Sequence, residues 1–224
     1  MILQESTISV EEVAASLAHE IKNPLALIKA NLEVLEMKDT EAPNSKSYAV
    51  MYSEIKRIDS LMLELIEMTK VSIYNFDIVY IDEVVDEACE ALEAFLRNRN
   101  VDLTVLKKSL DAMFYGDFDK IKSVIINLIK NAAEAIDCGG VVEITTYLED
   151  NKIKLLVKDN GCGISYEAQQ KLFTPFFTTK RSGTGMGMPI CKRIVGGHSG
   201  EIAIESKEGL GTSVYLAFPV YEGV

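Results

Sequence analysis

The sequence predicts an α+β protein. An N-terminal antiparallel helical hairpin, forming a four-helix bundle as a dimer, is followed by a two-layer α/β sandwich. Three observations carry this expectation. Apolar residues in the first third of the chain recur in steps of three and four, stretches of helical and strand period alternate after about Ile73, and the strands are mostly of the short kind that pair antiparallel. From about Ser9 to Met37 one stripe runs through Val10, Ala14, Leu17, Ile21, Leu25, Ile28, Leu32 and Leu35. The run from Lys38 to Ser45, with Pro43 and Asn44, breaks the pattern and reads as a turn. A second helix carries Met51, Ile55, Ile58, Met62, Leu65 and Thr69 at heptad-like spacing. Two such helices on a short loop make a hairpin that covers its own stripe poorly, so a homodimer is expected. Packing of the hairpin against its own chain is the alternative. The predicted domains are residues 1–73 and 74–224.

In the second domain Asp82 is a candidate N-cap for a helix through Val84, Val85, Ala88, Leu92 and Phe95. Val101–Leu106 and Ala112–Tyr115 alternate like strands. Asp117 or Asp119 caps a periodic helix with Ile121, Val124, Ile125, Leu128, Ala132 and Ile136 on one face, and Gly139-Gly140 is expected to end it. Strands follow near Val141–Leu148 and Lys152–Lys158. A Gly-rich stretch runs from Asn160 to Gly187, then a helix from about Met188 to Val195 and strands near Glu201–Ser206 and Thr212–Pro219.

Composition narrows the function classes. The chain has 224 residues, 48% of them hydrophobic, enough for a real core. No apolar run is long enough to span a membrane, and the first residues lack the layout of a signal peptide. Cys89, Cys138, Cys162 and Cys191 are scattered with no C-x-x-C spacing, which predicts reduced thiols and a cytoplasmic protein rather than a zinc site or disulfide frame. A formal charge of −11 argues against nucleic acid as a partner.

His19 is the most informative residue. It lies two positions after Leu17 and two before Ile21, and positions two apart on a helix differ by about 200°. The imidazole therefore points away from the seam those residues form. Glu20 adjoins it, and a nearby carboxylate can hold the Nδ1 proton and leave Nε2 free to attack. Asn23, four residues on and on the same face, can orient a water or a phosphoryl oxygen. Pro24 removes a helix hydrogen bond one turn later and is expected to bend the helix. An idle surface histidine remains open on these residues alone.

Downstream, Asn127, Asn131 and Glu134 form an i, i+4, i+7 line opposite the apolar stripe. Two amides one turn apart can offer oxygens to a hydrated Mg²⁺, although a solvated polar face has the same pattern. Asp159 ends an apolar strand in Lys158-Asp159-Asn160-Gly161-Cys162-Gly163-Ile164. It can accept the exocyclic amine of adenine while Gly161 and Gly163 let the backbone turn tightly, and an ordinary Asn-Gly turn is the competing reading. Gly183, Gly185 and Gly187 lead into a helix and can expose N–H groups to phosphate, in a pattern that is neither a P-loop nor a dinucleotide fingerprint. Between the glycine clusters, Phe173 to Lys180 offers aromatic anchors and, in Lys180, a cation that can reach a phosphate. A nucleophilic imidazole with a nucleotide pocket points to phosphoryl transfer onto histidine.

In this order the motifs resemble the transmitter core of two-component sensor histidine kinases. His19-Glu20-Ile21-Lys22-Asn23-Pro24 is similar to the family's phosphoacceptor box, Asn127 to Ala132 to its asparagine box, and Asp159 to Ile164 to its first glycine box. Phe173 to Phe177 resembles the phenylalanine box and Gly183 to Gly187 the second glycine box. The resemblance implies a dimerisation and phosphotransfer hairpin followed by an ATPase domain of the kind shared with Hsp90, gyrase and MutL. It implies that His19 is phosphorylated from ATP, that Glu20 is its acid/base partner, and that Glu20 with Asn23 supports phosphatase activity towards a partner. It further implies Asn131 as Mg²⁺ ligand with Asn127 assisting, Asp159 as adenine acceptor supported through water by Thr212, and Lys130 and Lys180 as phosphate contacts. His198 also recurs in the family, where a helix-end role is the better reading. Met186 and Met188 stand where leucine is common, a change of similar volume. The implied partners are a second copy and the receiver domain of a response regulator. With no sensor, membrane or receiver region in 224 residues, two readings stay open: a fragment, or a kinase that takes its signal from a separate sensor protein. Two further readings compete on function. One is a phosphotransfer scaffold with a non-catalytic ATPase-like domain, and the other a conformational ATPase, which would call for glutamate at Asn127.

Overall fold

The computed structural model describes residues 21, 23–31, 49–55, 58, 74–109, 112–137, 139–180 and 183–221. The chain divides into two compact units, Met1–Lys70 with Thr174–Met186, and Val71–Phe173 with Gly187–Val224.

In the second unit a five-stranded sheet is covered by helices on one face. The strands are β1 (Asp77–Tyr80), β2 (Val101–Lys108), β3 (Met113–Gly116), β4 (Gly140–Glu149), β5 (Lys152–Asp159), β6 (Glu201–Lys207) and β7 (Gly211–Pro219). The helices are α1 (Ile81–Asn98), α2 (Phe118–Glu134), the short α3 (Tyr166–Gln169) and α4 (Gly187–Gly197). The sheet order is β2-β4-β5-β7-β6, parallel between β2 and β4 and antiparallel elsewhere.

Periodicity explains the layers. On β5 the buried residues are Ile153, Leu155, Val157 and Asp159, alternating with the outward lysines Lys152, Lys154 and Lys158. On α1 the buried side is Ile81, Val84, Val85, Ala88, Leu92 and Leu96; on α2 it is Ile121, Val124, Ile125, Leu128, Ile129, Ala132 and Ala133. These faces, with Cys191, Ile194 and Val195 of α4, form one core against the sheet, in which Phe114 and Phe218 stack with ring centroids 4.8 Å apart.

Several expectations are corrected. Asp82 does not cap α1. Tyr80 holds the N-cap position without a side-chain bond. Asp82 lies inside the first turn, where it accepts from Ser109 Oγ at 2.7 Å and Thr146 Oγ1 at 2.6 Å. Ser109 and Thr146 are fully buried, so their hydroxyls need an acceptor and the carboxylate goes to them. Between the two candidate caps for α2, Asp117 is the cap and accepts from the Lys120 N–H at 3.0 Å. Gly139-Gly140 does not end α2; Gly140 opens β4. The helix stops at Ala135, whose carbonyl accepts the Cys162 N–H at 2.9 Å. β1, pairing antiparallel with β3, is an element that periodicity does not reveal.

In the first unit residues 23–31 and 49–55 are helical, as are 21 and 58. The helix runs through Pro24, which is buried, as is Met51, while Leu25, Leu27, Tyr52 and Ile55 are exposed. The expected turn at Lys38–Ser45 lies outside the described residues. The segment Thr174–Met186 closes on itself. Phe177 N–H donates to Thr174 O at 3.2 Å, Gly183 N–H to Lys180 O at 3.3 Å, and Lys180 N–H to Thr178 Oγ1 at 3.1 Å. Phe176 is left-handed at φ +65°, and the space a Cβ on Gly185 needs is filled by its carbonyl carbon. Among the described residues no helix is long and apolar enough to cross a membrane.

Candidate functional site

Asp159 is the fourth inward residue of β5. The alternation that buries Ile153, Leu155 and Val157 turns its carboxylate onto the helix-covered face, 6% exposed. Oδ1 accepts the Gly161 N–H at 2.9 Å and the Thr212 N–H at 3.2 Å. Two backbone donors on one oxygen hold the buried carboxylate in place. Thr212, on the neighbouring β7, shares the inward phase of Val214, Leu216 and Phe218 and is 8% exposed. Gly161 lies against the end of α2, where an added Cβ would sit 2.5 Å from the Ala135 carbonyl oxygen. Gly163 (φ +68°) and Gly211 (φ +92°) have no room for a Cβ against the carbonyls of Lys207 and Asp159. The first glycine cluster is therefore tightly enclosed, with Gly161 bonded to Asp159 and packed on Ala135, and Gly163 packed on Lys207.

Asn127 and Asn131 form a second cluster on α2. Asn127 Nδ2 donates to Cys191 Sγ at 3.2 Å, and Asn131 Nδ2 lies 3.3 Å from Asn127 Oδ1 and 3.7 Å from Met188 Sδ. The Asn131 amide nitrogen is thus turned onto the protein. Gly187, at the start of α4, has no side chain because a Cβ would meet Asn127 Nδ2 at 2.6 Å. That contact puts the N-terminal, positive end of an 11-residue helix beside the amide. Burial pushes the Cys191 thiol up to about 12, so it serves the amide as a neutral sulfur acceptor.

The structure thus joins Asp159, Gly161 and Thr212 by hydrogen bonds, places Gly163 against Lys207, and joins Asn127, Asn131 and Gly187 by hydrogen bonds and close approach. The Cys162–Ala135 bond links the first set to the helix that carries the second. Lys130 is exposed on α2. Lys180, Gly183 and Gly185 belong to the first unit, as does Asn23, which is exposed. His19 and Glu20 lie outside the described residues. Among the described residues no group of three or more His, Cys, Asp or Glu is disposed to hold a metal. An amide oxygen on α2 suits a hydrated Mg²⁺ that takes few protein ligands.

Sequence reasoning missed Ser206 and Gln169. Ser206 Oγ accepts the Ile164 N–H, and Gln169 Nε2 donates to Ile164 O at 2.7 Å and Ser206 O at 3.0 Å. The available signal was a serine in the apolar phase of Ile202 and Ile204.

The profile described as Histidine kinase-, DNA gyrase B-, and HSP90-like ATPase matches residues 116–222, and that of the His Kinase A (phospho-acceptor) domain matches residues 9–72. The solved catalytic domain of histidine kinase ThkA is 34% identical with a TM-score of 0.60, covering 65% of this chain and 95% of that one. The chain belongs to the two-component sensor histidine kinases. ThkA in complex with response regulator protein TrrA is 29% identical, TM-score 0.80, over 94% of this chain and 61% of that one. Sporulation kinase C of Bacillus subtilis (strain 168) is 36% identical over 212 residues, 93% of this chain and 49% of that protein. AtoS of Escherichia coli (strain K12), a signal transduction histidine-protein kinase, is 30% identical over 98% of this chain and 36% of its own length. The chain spans about half the length, or less, of these two curated relatives. In this family frame, residues 116–222 supply an ATPase-type fold and residues 9–72 a phospho-acceptor domain.

Proposed function

We propose that the chain is an ATP-dependent protein-histidine kinase that phosphorylates itself on His19 and passes the phosphoryl group to an aspartate on a response regulator. The observation that carries the reading is the buried Asp159 carboxylate, anchored by two backbone N–H groups at the end of β5. Such an acceptor suits the exocyclic amine of adenine. Residues 74–224 form the ATP-binding domain, in which Asp159, Gly161, Gly163 and Thr212 surround the base. On this reading the phosphate contacts are Lys130, Lys180, Gly183, Gly185 and Gly187. Asn131, with Asn127, would hold Mg²⁺, which would neutralise charge on the transferring phosphate.

Residues 1–73 form the dimerisation and phosphotransfer domain. Glu20 holds the His19 Nδ1 proton so that Nε2 attacks the γ-phosphorus, the bond to the departing ADP oxygen breaks, and Nε2 carries the phosphoryl group. Glu20 and Asn23 also support removal of phosphate from the regulator by positioning water. A separate sensor protein or a sensor region elsewhere in the polypeptide supplies the input, in the cytoplasm. The test is incubation with γ-labelled ATP and Mg²⁺, comparing the wild type with His19→Gln and Asn131→Ala. Acid-labile, base-stable label lost in both variants is the expected result. Label persisting in His19→Gln overturns the assignment, and ATP binding with no transfer replaces it with a phosphotransfer scaffold.

A further inference from the structure

Ser206 ends the inward series Ile202, Ile204, Ser206 on β6, directly opposite Thr212 on β7. Its Oγ lies 2.9 Å from each of three atoms: the Ile164 amide nitrogen, the Gly211 carbonyl oxygen and Thr212 Oγ1. The amide can only donate and the carbonyl can only accept. Ser206 therefore spends its one hydrogen on Gly211 and receives the Ile164 N–H. The Thr212 hydroxyl, facing an oxygen with no hydrogen left to give, must be the donor of the third bond. Its hydrogen is committed to Ser206, and Thr212 Oγ1 has only lone pairs to offer the pocket beside Asp159. Gln169, donating to the carbonyls of Ile164 and Ser206, holds Ser206 in this arrangement.

We infer that Ser206 is a positioning residue that sets base specificity by making Thr212 an acceptor only. The inference rests on the nucleotide-site reading above. An exocyclic amine donates into this wall, directly or through a water, whereas an exocyclic carbonyl at the same position meets lone pairs with lone pairs. Removing the Ser206 hydroxyl frees the Thr212 hydrogen to rotate and donate, which weakens the amine-bearing base and relieves the repulsion towards the carbonyl-bearing one.

The test is the ratio of dissociation constants for ITP and ATP, measured by calorimetry on the full chain. In Ser206→Ala the ratio should contract roughly tenfold, the size of one net hydrogen bond, and Ser206→Thr, which keeps the hydroxyl, should restore it to within about twofold. A purely structural serine would weaken both nucleotides together, so an unchanged ratio in Ser206→Ala overturns the inference. Thr212→Val, which removes the same acceptor from the other side, should reproduce the contraction, and it decides the question if Ser206→Ala does not fold. If the wild type binds neither nucleotide, the nucleotide-site reading fails and takes the inference with it. If the wild type binds ATP and the ratio holds constant, only the role of Ser206 falls.

Discussion

Gly211 is left-handed at φ +92°, and its missing side chain lets the hairpin between β6 and β7 lie on the Asp159 carbonyl. Alanine there meets both strain at positive φ and backbone in the place of its Cβ. Gly211→Ala is expected to cost more than about 1 kcal/mol and to weaken nucleotide binding, checked by urea unfolding and a binding isotherm. His198 is buried between the end of α4 and the start of α2. It is 3% exposed at the end of α4, with Nδ1 2.7 Å from Ile194 O and Nε2 accepting the Asp117 N–H at 2.9 Å. The rings of Tyr74 and Phe76 meet it edge-on, each with its centroid 4.9 Å away. Burial holds its pKa below the usual 6.5, against the smaller upward pull of the Ile194 carbonyl and the Asp117 charge. The unfolded chain takes up the proton first, so the contribution of this histidine is complete above about pH 6.5 and is lost as pH falls towards the lower folded value. Urea midpoints across this range should fall in the wild type, and the fall should flatten in His198→Phe.

The N-terminus of α2 is fastened twice by one residue. Asp117 Oδ1 accepts the Lys120 N–H, as an N-cap does, and Oδ2 accepts the Asn75 N–H at 2.9 Å, tying down the segment that precedes β1. Asp117→Ala should destabilise the chain by about 1–2 kcal/mol, the upper range for a lost cap, whereas Asp119→Ala, whose exposed side chain pairs with Lys122, should cost much less. Denaturant midpoints of the two variants separate these outcomes. This contrast also marks what was legible at the level of elements. The apolar stripes of α1 and α2 and the alternation of β4, β5 and β7 were readable because period alone sets which side is buried. The choice between Asp117 and Asp119 was not readable, since both are good caps and the decision belongs to contacts forty residues away. Asp82 was misread for the same reason: its acceptors' partners, Ser109 and Thr146, come from β2's end and β4. β1 is short enough that its four residues carry almost no period.

At the scale of the molecule, Leu25 and Ile55 are 51% and 47% exposed on the helical residues of the first unit, and both belong to the apolar stripes that the sequence assigns to a bundle. On the proposed reading of residues 1–73 as a dimerisation domain, association with a second copy would cover them. Leu25→Glu combined with Ile55→Glu should shift the protein from dimer to monomer in sedimentation equilibrium, and a variant that stays dimeric would refute this use of the stripe. In the second unit the helices themselves cover the inward face of the sheet.

The sequence by itself determined the sandwich, because period alone sets which side of each element is buried, and it put Asp159, Gly161, Gly163, Asn127 and Asn131 in the local motifs on which the proposed site rests. Asn160 is an example of the rest: its Oδ1 accepts the Val141 N–H at 2.9 Å, a bond between segments nineteen residues apart that no local pattern announces. Only the tertiary structure decided that Ser206, Gln169 and Thr212 stand together at the edge of the pocket. The physical reason is that a hydroxyl's direction depends on which donors and acceptors surround it, and here those come from β6, β7, α3 and the loop after β5, which meet only when the sheet has formed.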